Sequence, residues 1–318
     1  MDRLTTALKA LAHGERLRIL ALLSHGELTV SELTQIMGLS QPRITQYIKS
    51  LEAAGIIERL KEGSWVFSRL RRSQAGISAI VASTLAALPQ DDAILLADRR
   101  RLSDIRARRA ESAQAFFADV ANDRGQLGDE YLPQENIEAI IKDLVGQGPY
   151  ARLIDLGTGT ARMLTLLADR VATGTGLDTS HDMLKVARHR LAEAGLSHLR
   201  VRQGDLHASP MEAASADLVT LHQVLHYLDE PFEAVFEAAR LLEPGGKLLV
   251  VDFVAHDREE FREQYNHRRL GFTDHEIAEL MTGAGLTLTQ TRNITTAARP
   301  DVKVWLGTRN ADLSEASA

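Results

Sequence analysis

The sequence contains no cysteine, few aromatic residues and no long apolar run. Without a thiol the chain cannot form disulfides, bind a soft metal through thiolates or use a cysteine nucleophile. Aromatic residues are 5% of the 318, so few rings are available to line a site for an arene substrate. No apolar run reaches the roughly 18 residues that span a bilayer, and the start lacks the apolar core of a secretory signal. We expect a soluble cytoplasmic protein without a membrane partner.

Length and charge predict two domains, one of which is basic. The chain is longer than a single hydrophobic core usually serves. The net charge is −6, but residues 1–75 hold 11 Lys and Arg against 7 Asp and Glu, so they carry +4 and the remainder carries −10. The basic part is the candidate for binding a polyanion. A charge of +4 over 75 residues also lies within ordinary scatter, so the motifs must decide whether this region binds a polyanion.

The N-terminal region predicts a helix-turn-helix. An apolar helix over residues 17–23 is followed by a second helix that begins at Thr29, has Glu32 as capping-box partner and ends at Gly38. A third helix follows, with Pro42 in its first turn, apolar side chains on one face and polar side chains on the other. That polar face can reach base edges or phosphates, or it can be a solvated surface. The candidate DNA-binding residues on this helix and its N-cap are Ser40, Gln41, Arg43, Thr45, Gln46 and Lys49.

A β-hairpin after the third helix completes the pattern of a winged helix. The segment IIERLKEGSWVFSRL predicts two strands of alternating pattern, joined around Lys61, Glu62, Gly63 and Ser64. Lys61 and Ser64 are candidates for contacts with the DNA backbone. The run from Glu15 to Leu70 resembles ArsR-family repressors. The resemblance implies operator DNA as a partner and a homodimer formed by the first and last helices. Gln74 to Leu88 fits the last helix, although its apolar spacing also fits an ordinary core stripe.

The sequence departs from the metal-sensing members of that family. Thr29 and Ser31 stand where arsenic-sensing relatives carry cysteine ligands, and neither hydroxyl replaces a thiolate for a soft metal. The helix from Gln74 to Leu88 lacks the acidic and histidine pairs of zinc-sensing relatives. We therefore predict no metal site and expect the signal to be read elsewhere in the chain.

A polar connector is predicted between two folded parts. Pro89 to Asp92 breaks the apolar pattern, a polar helix follows, and Asn122 to Gly128 looks irregular. The arginines at 99–101 fit a solvated face better than a nucleic-acid contact. The predicted domains are a winged helix over 1–90, a helical linker over 91–130, an α/β domain over 131–310 and a disordered tail over 311–318.

From Tyr150 the chain alternates strands and helices, which predicts a doubly wound parallel sheet. Its first strand ends at Asp155, and Gly157 and Gly159 then allow a tight turn close to a ligand, with the small Ala161 where many such loops have a third glycine. A dinucleotide-binding fold has a similar glycine-loop sequence. However, Asp155 would repel a pyrophosphate and attract the ammonium group of a sulfonium cofactor.

Two more acids follow at predicted strand ends. Asp178 lies 19 residues beyond Gly159, where a carboxylate can accept both ribose hydroxyls, and Met183 follows on the next helix. The third strand is predicted to run to Asp205, which could accept from an adenine amino group while Leu206 donates its backbone N–H. Each acid taken alone could equally be a helix cap or a surface charge.

Five blocks, IDLGTGT, GLDTS, GDL, ADLVTLHQVLHYL and LEPGGKLL, resemble class I S-adenosylmethionine-dependent methyltransferases over roughly Pro133 to Arg309. The resemblance implies a seven-stranded Rossmann-like sheet that binds S-adenosylmethionine or its product S-adenosylhomocysteine. The cofactor-binding residues that it implies are Asp155, Gly157, Gly159, Asp178, Thr179, Met183, Asp205, Leu206 and His222.

Catalytic residues stay unassigned at this stage. Polar side chains follow the fourth and fifth strands, but each could also be a buried or capping group; they are His222, His226, Asp252, His256 and His267. Two functions remain open. The first is a DNA-binding regulator with the nucleoside as effector, and the second is a small-molecule methyltransferase with an autoregulatory helix-turn-helix. The scarcity of aromatic and thiol groups for an acceptor site favours the regulator.

Overall fold

The computed structural model describes residues 2–62, 64–71, 75–122, 134–295 and 300–311. The chain divides into two compact units, Met1–Glu111 and Ser112–Ala318. Gly63, Gln74, the stretch after Asn122 and the tail after Ala311 lie outside the described residues, so the predictions made for them are not addressed. The first unit extends beyond residue 90, where the winged domain was predicted to end.

The first unit contains the helix-turn-helix and the hairpin that the sequence predicts. Its elements are α1 Asp2–Leu11, α2 Gly14–Leu23, β1 Leu28–Thr29, α3 Val30–Met37, α4 Gln41–Ala53, β2 Ile57–Glu62, β3 Trp65–Leu70, α5 Ala75–Ala86 and the start of α6 Ala93–Asn122. The strands form an antiparallel sheet in the order β1-β3-β2. Strand β1 was not predicted, because two residues are too short to show an alternating pattern.

The predicted start of α3 is confirmed atom by atom. The Thr29 backbone N–H donates to Glu32 Oε2 at 2.8 Å, and the Glu32 N–H donates to Thr29 Oγ1 at 3.3 Å, which together make the capping box. Gly38 ends the helix in the left-handed region with φ 65°. The Thr29 hydroxyl is thus used by the cap of this helix.

Helix α6 is polar, but its first half is not simply a solvated connector. Leu95, Leu102 and Ile105 are buried in the first unit. The buried carboxylate of Asp98 accepts two hydrogen bonds from the Arg18 guanidinium, at 2.7 and 2.9 Å. A predicted linker residue therefore forms a buried ion pair with a helix of the winged domain.

The second unit is a seven-stranded sheet with helices, as the sequence predicts. Its elements are α7 Gln134–Val145, β4 Tyr150–Leu156, α8 Arg162–Leu166, β5 Val171–Asp178, α9 His181–Glu193, β6 Leu199–Gln203, β7 Ala216–His222, α10 Pro231–Leu241, β8 Leu242–Phe253, α11 Glu260–Tyr265, α12 Asp274–Gly283, β9 Leu286–Ile294 and β10 Val302–Arg309. None of the helices in the described part of the chain is both long and apolar enough to cross a membrane.

The strand order is β6-β5-β4-β7-β8-β10-β9. The five strands β6, β5, β4, β7 and β8 are parallel, and β10 is antiparallel to both of its neighbours. Residues 248–251 of β8 are completely buried, as expected for a central strand covered on both faces. The carboxyl ends of β4, β5, β7 and β8 therefore share one edge of the sheet, and ligands bind at this edge in such folds.

Candidate DNA interface and cofactor site

The two faces of α4 differ as predicted. Ile44, Ile48 and Leu51 are buried in the core of the first unit, which fixes the helix. The opposite face exposes Gln41, Arg43, Gln46 and Lys49, with Thr45 half-buried beside them. Most of these side chains line one open concavity, together with Pro42. A helix that presents amide, hydroxyl and ammonium groups has the chemistry that a major groove accepts.

The other three candidate residues lie outside this helix face. Ser40 is the N-cap of α4 by position, but its side chain makes no capping hydrogen bond, so the hydroxyl is exposed at the helix start. Lys61 is exposed on β2, opposite Val66 of β3, and Ser64 is exposed just before β3. The structure thus places Lys61 and Ser64 on the wing and not on α4.

The glycine loop after β4 uses its backbone amides internally. The N–H groups of Gly157 and Thr158 both donate to the carbonyl oxygen of Leu177, at 2.8 and 2.9 Å. The Ala161 N–H donates to the carbonyl oxygen of Thr158 at 2.8 Å. Gly159 N–H donates to Asp178 Oδ2 at 2.8 Å. These four amides are therefore already bonded, unlike the amides of a loop that cradles a phosphate. This observation supports the sequence argument against a pyrophosphate ligand.

Asp155 is completely buried at the end of β4. Its two oxygens accept from the hydroxyls of Thr158 at 2.7 Å and Thr220 at 2.6 Å. Burial raises the pKa of the Asp155 carboxyl to about 6, against the opposing effect of the two hydroxyls, and the charge of Asp178 raises it further. A cationic ligand group near this site would be favoured by the ionised carboxylate.

Asp178 closes the other side of the loop. Its oxygens accept from the N–H groups of Gly159 and Ser180, each at 2.8 Å, and burial raises its pKa. Each carboxylate oxygen has a second lone pair, so both can still accept a ribose hydroxyl. A methyl group built on Gly159 would meet no atom within 4 Å, which shows open space beside the loop. The residues present therefore fit a ribose and a cationic tail.

The predicted adenine-side residues differ in exposure. Met183 on α9 and Leu206 are buried, whereas Thr179 and Asp205 are exposed. Strand β6 ends at Gln203, so the prediction that it runs to Asp205 was wrong. Asp205 is instead the N-cap of a short 3₁₀ turn and accepts from His207 N–H at 2.9 Å. One of its oxygens is therefore occupied by a structural bond.

His222, the last residue of β7, is half-buried at the same edge of the sheet. Burial lowers its pKa to about 4, and the charge of Arg162 lowers it further. His222 is thus neutral at pH 7, so it does not repel a sulfonium. The next residue, Gln223, was missed: its φ is 56°, and its buried Nε2 has no hydrogen-bond partner in the part of the chain that the structure describes. Such strain often marks a functional position, but it leaves no trace in the sequence.

Comparison with known proteins agrees with both halves of this description. Residues 13–59 match the family described as bacterial regulatory protein, arsR family, and residues 154–250 match the methyltransferase domain family. The methyltransferase YcgJ of Bacillus subtilis is 29% identical over 116 residues, which are 36% of this chain and 46% of that protein. The ubiquinone biosynthesis O-methyltransferase of Paracidovorax citrulli is 32% identical over 136 residues, 42% of this chain and 57% of the relative.

The fold also matches a solved structure. In the complex between the Haloferax volcanii Trm112 methyltransferase activator and a methyltransferase, one chain superposes with a TM-score of 0.50 at 22% identity, covering 61% of this chain and 98% of that chain. The present chain spans about half the length of the two curated relatives. The matched segments thus place an ArsR-family helix-turn-helix and a methyltransferase domain in one chain.

Proposed function

We propose that the protein is a transcriptional regulator that binds operator DNA as a homodimer and responds to S-adenosylmethionine or S-adenosylhomocysteine. The observation that carries the proposal is the polar face of α4, where Gln41, Gln46 and Lys49 are exposed on a helix fixed by its buried face. The ArsR-family match over residues 13–59 supports this role for the helix. Access to DNA implies a cytoplasmic location.

The nucleoside is proposed to occupy the edge formed by the carboxyl ends of β4, β5 and β7. In this arrangement Asp178 accepts the ribose hydroxyls, and the glycine loop and Asp155 hold the amino-acid tail. Met183 and Leu206 flank the adenine, and the free oxygen of Asp205 accepts from its amino group. Thr179 and His222 complete the lining. The open space beside Gly159 and the two buried carboxylates support this placement.

The nucleoside is the proposed effector because Thr29, which stands where arsenic-sensing relatives carry a metal ligand, has a different role in this fold. The Thr29 hydroxyl is part of the α3 cap, and within the described residues no three His, Asp or Glu side chains are grouped to hold a metal ion. A ligand changes operator affinity only through its different affinities for the free and DNA-bound protein, commonly worth about 1 to 3 kcal/mol. We propose that S-adenosylhomocysteine releases the operator more strongly than the methyl donor does.

Fluorescence anisotropy of a labelled operator fragment, selected from genomic DNA by the purified protein, tests this function. Saturating S-adenosylhomocysteine should weaken operator binding about 5- to 150-fold, and operator should weaken nucleoside binding by the same factor. Arg43→Ala and Gln46→Ala should lose discrimination between operator and random DNA, whereas Gln35→Ala, an exposed change on α3, should retain it. Equal affinity for all fragments would exclude the regulator, and an operator affinity unchanged by both nucleosides would exclude the effector role.

A second candidate function is methyl transfer to a small molecule. The sequence argument against it was the scarcity of aromatic side chains. The structure weakens that argument, because several of the few rings are grouped beside β7 and β8, around a buried contact between His226 and Asp252. The two functions are compatible, since methyl transfer would produce the proposed effector.

A further inference from the structure

A cluster of histidine and aromatic rings lies at the carboxyl ends of β7 and β8. The His226 ring is 4.1 Å from the rings of Tyr227 and His267 and 5.2 Å from that of Phe253, measured between centroids. Phe261 packs edge-on against Phe253 at 5.7 Å. Several rings of the second unit are thus grouped at the sheet edge where ligands bind in this fold.

This cluster adjoins the proposed cofactor loop. Val224 lies between His222 and His226 and packs so closely on Gly157 that a methyl group added to this glycine would stand 2.5 Å from Val224 Cγ2. Asp155 is joined to β7 by its hydrogen bond from Thr220. The short segment after β7 therefore runs from the glycine loop to the His226 ring.

His226 is held in one orientation by a buried carboxylate. Its Nδ1 lies 2.7 Å from Asp252 Oδ1, and both side chains are buried. The His226 carbonyl oxygen accepts from the backbone N–H groups of Arg268 and Arg269, at 2.8 and 2.9 Å, which fixes the main chain. An ionised carboxylate can only accept, so Nδ1 carries the proton and Nε2 has the lone pair of a base.

Two further observations distinguish this pair from an ordinary core contact. Asp252 Oδ2 and Gln223 Nε2 are buried at the ends of the adjacent strands β8 and β7, and neither has a hydrogen-bond partner among the described residues. Buried polar atoms of native proteins nearly always have a hydrogen-bond partner. Two such atoms without one at a ligand-binding edge therefore point to a bound group. The neighbouring His267 has a pKa lowered chiefly by burial, so it does not compete for the proton.

We propose that this chain methylates small phenols, with His226 as the general base and Asp252 as its positioning residue. The phenol oxygen attacks the methyl carbon of S-adenosylmethionine, and the carbon–sulfur bond breaks with its electron pair remaining on sulfur. The phenol proton passes to His226 Nε2, and Asp252 stabilises the imidazolium. The products are an aryl methyl ether, S-adenosylhomocysteine and a proton released later to solvent. The inference rests on the cofactor binding proposed above, but not on DNA binding.

The choice of a phenol follows from the surroundings of the base. The ring of Tyr227 is partly exposed and contacts the buried rings of His226 and His267, so an aromatic acceptor can pack on it beside the base. A phenol needs a base at neutral pH because its hydroxyl is protonated there. Thiophenol has nearly the same shape but is largely ionised at pH 8, so it needs no base.

This difference between the two acceptors provides the test. The full chain is incubated at pH 8 with S-adenosylmethionine and phenol, catechol, hydroquinone or thiophenol, and the methylated product and S-adenosylhomocysteine are quantified by chromatography. In His226→Asn the side-chain amide keeps a donor for Asp252 near the Nδ1 position and removes Nε2. We expect this variant to lose about 100-fold or more of its rate with the phenols. It should stay within about threefold of the unchanged protein with thiophenol.

Three controls make the outcome decisive. His275→Asn changes an exposed histidine on α12 and should leave both rates unchanged. Asp252→Asn should slow the phenols more than thiophenol and alter the pH profile of the phenol rate. Calorimetry with S-adenosylhomocysteine checks each variant's cofactor site. If S-adenosylhomocysteine binds but no acceptor is methylated, the inference fails while the proposed cofactor binding stands. Equal losses for phenol and thiophenol, or no loss in His226→Asn, would also overturn the role of the base.

Discussion

The two proposed binding regions use polar side chains in opposite ways. On α4 the polar groups are exposed and the apolar face alone anchors the helix, so Gln46 and Lys49 contribute little to the fold. At the sheet edge the carboxylates of Asp155 and Asp178 are hydrogen-bonded within the protein before any ligand arrives. A large flexible ligand with many charges can be met by a solvated surface, whereas a small nucleoside requires groups fixed in advance. Substitutions should therefore separate binding from stability on α4 and combine the two effects at the sheet edge.

The largest effect is expected in the first unit, at a residue outside both binding regions. Asp98→Ala leaves the partly buried Arg18 guanidinium without its carboxylate partner, and we expect a loss of about 3 kcal/mol of unfolding free energy, the lower end of the range for a buried pair. Hydrogen exchange of amides in α2 and α6 should accelerate accordingly. Asp104→Ala, an exposed change on the same helix, is the matched control and should leave exchange unchanged. Equal exchange in the two variants would mean that the ion pair contributes nothing.

The next effect concerns the ribose. Asp178→Ala removes the acceptor for the Gly159 and Ser180 amides and for the two proposed ribose hydroxyls. We expect nucleoside binding to weaken by about 1.5 to 3 kcal/mol, which is tenfold or more. Calorimetry with S-adenosylhomocysteine measures the loss, and Asp182→Ala, which changes an exposed acid on α9, should show none. An unchanged dissociation constant in Asp178→Ala would disprove the ribose placement.

A pH titration tests the buried Asp155. Its folded-state pKa of about 6 lies above the ordinary value, so ionisation of this carboxyl reduces stability as the pH rises toward 6. A cationic cofactor tail favours the ionised form, so affinity should fall as the pH drops below about 6. The expected loss approaches tenfold, or about 1.4 kcal/mol, between pH 7 and pH 5. Asp155→Asn should bind more weakly at pH 7 and show a flatter profile; an equally steep profile would assign the titration to another group.

The sequence was sufficient to predict features set by neighbours along the chain. The capping box of Thr29 and Glu32, the two faces of α4 and the alternation of strands and helices in the second unit follow from local pattern and spacing. Contacts between distant residues were missed, because no periodicity encodes them. Asp98 was predicted only as part of the helical linker, since its partner is Arg18, 80 residues away. His226 and Asp252 were each recognised as candidates, and their meeting could have been predicted, because adjacent parallel strands end at one edge.

Gly176 shows another limit of sequence reasoning. A Cβ at this position of β5 would stand 2.4 Å from Thr158 Oγ1, which itself donates to Asp155. The glycine therefore makes room for the side chain that orders the buried carboxylate. In the sequence it is one small residue in an apolar strand, and nothing distinguishes it from a residue chosen for packing. Only the register of β5 against β4 reveals why it is there.

The smallest effect is expected on the exposed face of α4, where a single ammonium group meets a phosphate. Lys49→Ala should weaken binding to operator and random DNA alike, by less than tenfold near 0.1 M salt, because a phosphate contact carries no sequence information. The slope of log K against log salt should decrease in magnitude by about 0.9, the contribution of one phosphate on duplex DNA. Thermal unfolding should not change, since this side chain is solvated.

Lys9→Ala removes an equal charge from α1 and is the control for a general effect of net charge. If both lysine variants lower the slope equally, long-range attraction and not a contact from α4 explains the salt dependence, and the contrast between the two binding regions loses its support on the DNA side.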